Sequence, residues 1–285
     1  MSVSLNQFYK AIGVTKQGLH HHLNSQLEQQ SLFENLYKIT VQIRQDHPTL
    51  SCRAMFFKIQ PESIGRDKFE SFCGQWGLVQ KKAINRIRTT YSSGVIRFEN
   101  WYKDIVFTDI DQAYVSDITY FEVGDRFYYI TFIMDTYSRY IIGYSVSKRL
   151  TTEQTTLAAL NMALAYKKHK LPKSIIFHSD GGGQYYDKAF LKVTSDYGFI
   201  NSMCEFAYEN GKAERINGII KNNYLKHKQI NNYEELQKEL DRSVSLYNKE
   251  RPHKSLNYIT PKEIEKRCNI ARANKAEDEK VIRCK

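Results

Sequence analysis

The chain lacks any apolar run approaching the roughly 20 residues that cross a bilayer. Its N-terminus, MSVSLNQFYK, lacks the apolar stretch of a secretory signal, so the expected compartment is cytoplasmic. Cysteine is sparse: Cys52, Cys73, Cys204, Cys268 and Cys284 are odd in number, scattered, and form no CxxC pair. That pattern argues against a disulfide framework and against a zinc site, and leaves reduced thiols. No leucine heptad is evident. Acidic residues are also in deficit, 31 against 42 Lys and Arg, a formal net charge of +11. Basic surface on this scale answers to phosphate, because each neutralised phosphate releases counterions. The 285 residues, 41% hydrophobic and 26% charged, suffice for one or two domains with real cores.

What is present falls into three zones: residues 1–100, 105–228 and 229–285. The first reads as helical. LNQFYKAIGV has helical apolar spacing and ends at Gly13, and Thr15 can cap a second helix through Leu23. Two short helices across a glycine turn make a helix-turn-helix-like candidate, with Lys16 and Gln17 outward as DNA contacts. Two amphipathic helices are expected at 34–46 and 66–76. The tract KKAINRIR then offers Lys81, Lys82, Arg86 and Arg88 to lie along a nucleic acid, although a solvated face explains it equally well.

The second zone changes period. AYVSDITYFEV, RFYYITFIMD and RYIIGYSVS are β-branched and aromatic runs cut by short turns, which predicts an antiparallel meander. A helix at about 152–168, a buried strand SIIFHSD, a helix at 187–197, an apolar run at 199–206 and a helix from Gly211 follow. The expected fold is α/β: a ribonuclease-H-like core with a mixed five-stranded sheet, preceded by the all-helical region. The third zone reads as helix, then YNKERPHKSLNYITP, then a charged tail expected to be mobile.

Three acids stand out. Asp117 lies within an apolar and aromatic strand, Asp180 closes a buried strand before three glycines, and Glu214 opens a helix. Each has a structural explanation alone: a strand-edge acid, a turn former, a helix-start residue favoured by the dipole. If the first and fourth strands are parallel neighbours, however, Asp117 and Asp180 project close together. Their repulsion then calls for a divalent cation, and oxygen-only ligands select a hard ion. The glycines at 181–183 would leave room for a nucleic-acid backbone. Helix geometry puts Lys221, seven residues beyond Glu214, on the same face about 10 Å along, with Asn217 between them. Asn210 could cap that helix; Asp135 is expected to shape a hairpin turn, His178 to pack in the core, and Arg251 and His253 to pack or touch phosphate.

VSDITYF, FHSDGGGQY and ENGKAERINGIIK resemble the three catalytic motifs of the insertion-sequence-three transposases, of the DDE type within the retroviral-integrase superfamily. DTYSRYIIGY and YNKERPHKSLNYITP resemble further motifs of that family. The resemblance implies that Asp117, Asp180 and Glu214 are catalytic metal ligands for two Mg²⁺ or Mn²⁺ ions. It further implies that Lys221 touches terminal DNA, and that the protein acts in the nucleoid on element ends and target DNA. A homo-oligomeric synaptic complex and an upstream-frame DNA-binding protein are the partners it implies. Two departures stand out: thirty-three residues separate Asp180 from Glu214, a shorter interval than the family's, and Gly181 replaces the usual Arg. Two other readings stay open. One is a catalytically silent DNA-binding repressor or architectural protein; the other is a ribonuclease-H-like nuclease acting on RNA/DNA hybrids. A tyrosine recombinase is disfavoured, since its Arg/His/Arg/Tyr set has no counterpart in this β-rich centre.

Overall fold

The computed structural model describes residues 5–80 and 97–283. The meander forms as its period-2 pattern requires. β1 (Ala113–Val123) turns at Gly124 into β2 (Arg126–Asp135), which turns into β3 (Ile141–Ser147). Gly124 takes φ 59°, the left-handed conformation that the tight hairpin needs and that glycine adopts without strain. β4 (Ile176–Ser179) and β5 (Ile200–Met203) add in parallel, giving the order β3-β2-β1-β4-β5.

Alternation along β1 separates two cores. Tyr114 faces Ile133, Leu160, Phe177 and Phe190, under α5 (Thr156–Tyr166) and α6 (Lys188–Asp196). Val115 faces Phe132, Ile216, Ile220, Leu240 and Tyr247, under α7 (Gly211–Asn223) and α8 (Tyr233–Glu250). A mixed sheet between two helical layers, with the antiparallel meander first and parallel strands after, is the ribonuclease-H-like arrangement anticipated from the sequence.

The N-terminal zone departs from expectation in its element lengths. α1 (Leu5–Ala11) ends at Gly13, and Thr15 does cap the next helix, its Oγ1 accepting from Gly18 N at 3.0 Å. That helix does not stop near Leu23; α2 runs from Lys16 to Asp46, absorbing the helix expected at 34–46. Residues 24–33 contain no Gly or Pro, so nothing terminates it. The packed unit is the C-terminal half of α2 with α3 (Cys52–Ile59) and α4 (Arg66–Gln75), around Leu36, Met55, Phe69 and Phe72. Lys16 and Gln17 sit on the exposed first turn of α2, away from that core. Lys81, Lys82, Arg86 and Arg88 lie outside the described residues.

The charged tail is also ordered differently from the expectation: α9 spans Pro261–Arg283. Pro261 suits the first helical position, and Thr260 Oγ1 accepts from Glu263 N. Acids hold the helix down, with Arg272 bonding half-exposed Asp109 and buried Asp111, and buried Glu265 meeting Lys167 at 2.7 Å and Tyr166. Among the described residues no helix is long and apolar enough to cross a membrane.

Candidate active site

The parallel register of β1 and β4 decides where the two aspartates fall. Val115 pairs with His178, so two residues further on each strand Asp117 and Asp180 come level with one another. Asp117 is half-buried on the central strand. Burial, together with the charges of Asp180 and Glu214, pushes its carboxyl up to about 8, against the opposing pull of the Ile118 amide and Asn217. Burial also raises Asp180, whose Oδ1 accepts from Gly182 N at 3.1 Å.

α7 packs against β1 and brings the third acid. Glu214 is exposed on its first turn, near enough for its charge to act on Asp117. One turn on, buried Asn217 donates Nδ2 to Asp117 Oδ2 at 2.8 Å. Another turn on, Lys221 donates to Thr119 Oγ1 at 3.0 Å and sits 4.8 Å over the Tyr120 ring. Burial and Lys226 lower the Lys221 ammonium, while Asp117 pulls it the other way. The face predicted for Glu214, Asn217 and Lys221 is thus turned to the aspartates.

Several neighbours have structural roles. Asn210 precedes α7 but does not cap it; its Nδ2 donates instead to Ser116 O at 3.0 Å, tying the helix start to β1. Ser116 Oγ meets Tyr185 OH at 2.8 Å on the other face. His178 is a core histidine, stacked on Tyr102 and bonded to Ser202 Oγ at 3.0 Å, with burial lowering its pKa to about 4. Asp135 shapes its turn by accepting from Tyr137 N, Ser138 N and Ser138 Oγ, and reaches back to Asp111 N.

The three glycines are not uniformly open. A Cβ on Gly181 would stand 2.8 Å from Met203 Cε, and one on Gly182 3.1 Å from Asp180 Oδ1; only Gly183 faces free space. An Arg at position 181 would therefore have to displace Met203. The short loop before α7 is held by Glu209, whose Oε2 accepts from Glu205 N and Phe206 N.

The site fits a hard divalent ion in its chemistry. Two acids share a half-buried corner with no cation paired to them, and Asn217 Oδ1, an acceptor beside Asp117, is buried without a partner among the described residues. Among those residues no three acidic, His or Cys side chains already stand as a closed metal-binding group.

Family models described as integrase core domain match residues 110–207 and 204–261, together just over half of the chain. Residues 110–261 of this chain carry an integrase core domain. The chain is 32% identical over 184 residues to the transposase for insertion sequence element IS629 of Shigella sonnei, covering 64% of this chain and 61% of that protein. Over 75 residues it is 40% identical to transposase InsF for insertion sequence IS3A of Escherichia coli, covering 26% of this chain and 25% of that protein. The chain spans less than two thirds of the length of such relatives. Solved structures include the HTLV-2 integrase catalytic core domain in complex with magnesium, with TM-score 0.44 and 21% identity over 55% of this chain and 97% of that one. Another is a simian T-cell lymphotropic virus intasome in complex with a PP2A regulatory subunit, with TM-score 0.48 and 17% identity over 71% and 67%.

Sequence reasoning about the integrase core missed Arg139 and Lys212. Both line a cavity of about 850 Å³ on the flank of α7 turned away from the aspartates, together with Arg215 and Arg251. Lys212, Arg215 and Ile219 share one helical face, and that spacing was the available signal.

Proposed function

We propose that the chain is a DNA transposase that cleaves strands at element ends and joins the freed 3′-hydroxyl to target DNA. The placing of Asp117 beside Asp180 across the β1–β4 register carries the reading, since a bound cation would relieve the burial and mutual repulsion that raise Asp117. Asp117 within β1, Asp180 just past the end of β4 and Glu214 in the first turn of α7 would hold two Mg²⁺ or Mn²⁺ ions. Such an ion pair supplies charge neutralisation and Lewis acidity for an in-line displacement at phosphorus.

The protein's own groups do the rest. Asn217 fixes the orientation of Asp117 by donating to one oxygen, leaving the other for the ligand. Lys221 lies along the path of the bound strand, its ammonium able to leave Thr119 for a phosphate. In cleavage, water attacks the terminal phosphodiester and the 3′-oxygen departs and takes a proton. In strand transfer that 3′-hydroxyl attacks a target phosphodiester and loses its proton as the new P–O bond forms, while the P–O bond to the target strand's own 3′-oxygen breaks and that oxygen leaves and takes a proton. Neither step needs a covalent enzyme intermediate. Element ends and target DNA are the substrates, a homo-oligomer holds paired ends, and an upstream-frame DNA-binding protein is a further partner. The three-zone division at 1–100, 105–228 and 229–285 belongs to the same reading.

The test is Mg²⁺-dependent nicking of duplex carrying the element's terminal repeat, followed by joining of a pre-cut 3′-hydroxyl end. Wild type should do both and Asp117→Asn neither. Equal inactivity of the two proteins on DNA that both bind would instead make the chain a silent DNA binder.

A further inference from the structure

The cavity on the far flank of α7 is built from four parts of the molecule. Arg139 enters from the β2–β3 turn, Lys212 and Arg215 from α7, and Arg251, His253 and Lys254 from the segment after α8, with Thr49 and Ser51 of the N-terminal unit closing it. No Asp or Glu lines it. None of its five Lys and Arg residues makes an ion pair among the described residues, whose pairs all lie elsewhere.

Aromatic rings position these cations without neutralising them. Lys212 sits 5.2 Å from the Tyr102 ring centroid and Arg251 5.8 Å from that of Tyr224. Arg251 Nη1 and His253 Nε2 are buried with no hydrogen-bond partner among the described residues. A buried donor left unsatisfied is costly, and native folds pair the great majority of such groups with protein, water or ligand. Asp135 is the nearby acid, and its oxygens are already occupied by backbone amides and Ser138. The crowding of positive charge shows in the titration: burial, then Arg251, Arg139 and Arg215, press His253 down to about 3, and burial with Arg139 takes Lys212 to about 8.

We propose that this cavity binds a backbone phosphate of the nucleic-acid strand whose reacting phosphodiester lies at Asp117 and Asp180. The inference rests on the transposase reading and adds a second anchor to it. α7 is about 10–12 Å across, and Arg215 projects about 100° around the axis from Glu214. A strand crossing the N-terminal end of α7 from the aspartates reaches the cavity within about three nucleotide steps at ~3.4 Å each. Anchoring there fixes the register of the strand over the ions, and because Thr49 and Ser51 close the cavity, it also joins the helical unit to the core around bound DNA.

Free phosphate or pyrophosphate shares this chemistry, so the test separates the sources. Arg215 and Lys254 are exposed, so Arg215→Gln/Lys254→Gln should fold; melting temperature checks this, and Arg139→Gln serves as an independent variant. Lys188→Gln/Lys192→Gln, which removes the same charge from exposed α6 positions, is the control. Binding of the full chain to a short fluorescent duplex is measured without divalent ion across a salt series. The cavity variants should lose about tenfold in affinity near 0.1 M salt, with a log–log salt slope shallower by about 1–2; the control should lose much less. Wild-type slope and affinity in the cavity variants overturn the proposal. So does a pyrophosphate-induced rise in melting temperature that the variants abolish while DNA binding stays intact. Cleavage reports separately: if wild type nicks DNA but the cavity variants bind it normally, only the cavity inference falls. If wild type binds through the cavity yet never nicks, only the transposase reading falls. If wild type does not bind DNA, both do.

Discussion

At the scale of single residues, Asp117 carries an electrostatic cost that the fold does not offset with a paired cation among the described residues. Its carboxyl is driven up to about 8 by burial first and by Asp180 and Glu214 next. The folded state therefore holds its proton more tightly than the unfolded chain does, and at neutral pH an ionised Asp117 works against folding. Asp117→Asn removes the charge and keeps the shape. In chelator the variant should be more stable than wild type by roughly 1–3 kcal/mol. Mg²⁺ should raise the melting temperature of wild type but not of the variant, while Mg²⁺-dependent nicking falls by about a thousandfold or more. A variant less stable than wild type in chelator, or one equally stabilised by Mg²⁺, would contradict this account of the pair. The same arithmetic explains why Glu214 is exposed: without a cation, a third carboxylate has nothing to draw it in.

At the scale of elements, β3 and α5 approach each other closely at Gly143. A Cβ on Gly143 would stand 2.2 Å from Ala159 O and 2.9 Å from Ala163 Cβ, and the atoms in the way are largely backbone. Gly143→Ala should therefore destabilise the fold by about 1–3 kcal/mol or more, read as an earlier urea midpoint with an unchanged slope. Near the irregularity between β2 and β3, Asn248 of α8 accepts from Ile141 N at 2.9 Å and donates to Ile141 O at 3.0 Å, so it acts as a surrogate strand neighbour. Asn248→Ala orphans two buried backbone groups and should cost about 2–4 kcal/mol, whereas Asn248→Asp should restore the contact to the amide alone. Equal losses in the two variants would rule out the bridging role.

Neither Gly143 nor Asn248 could be found from the chain alone, because each acts through a partner remote in sequence. Legible features were those with a local period or a local stop: the three strands of the meander, the turn at Gly124, the helix start at Gly211, and the shared face of Glu214, Asn217 and Lys221. The union of two expected helices into α2 was missed because amphipathic pattern weakens across residues 24–33 while helix permissiveness does not. The ordering of α9 was missed because its anchors, Asp109 and Asp111, sit more than 150 residues earlier. Asp117 and Asp180 were legible as acids in the wrong place, but their pairing needed strand order.

At the scale of the whole molecule, the N-terminal helical unit is fastened to the integrase core at one seam. Arg242 bonds Asp46 at 2.5 Å, Lys58 reaches Glu250 at 2.9 Å, and Lys228 donates to Gln45 O. At its centre His47 closes α2 and meets Tyr224 OH at 2.9 Å from a fully buried position. Burial, Lys58 and Arg251 hold its pKa down to about 4 from 6.5, and Glu250 only partly opposes them. A histidine depressed in the fold contributes stability that is complete above the unfolded value. That contribution fades as pH falls from about 6.5 through about 4, because the unfolded chain takes the proton first. The loss attributable to His47 is on the order of 1–3 kcal/mol. His253, pressed lower still, acts in the same direction, so wild type alone cannot isolate the seam. The difference between wild type and His47→Gln can. Urea unfolding at steps from pH 7.5 to 4 should give a constant gap above about pH 6.5 and then a progressive convergence, as the variant is spared the protonation. Parallel curves across the whole range would mean that the seam does not titrate and that acid acts elsewhere in the core.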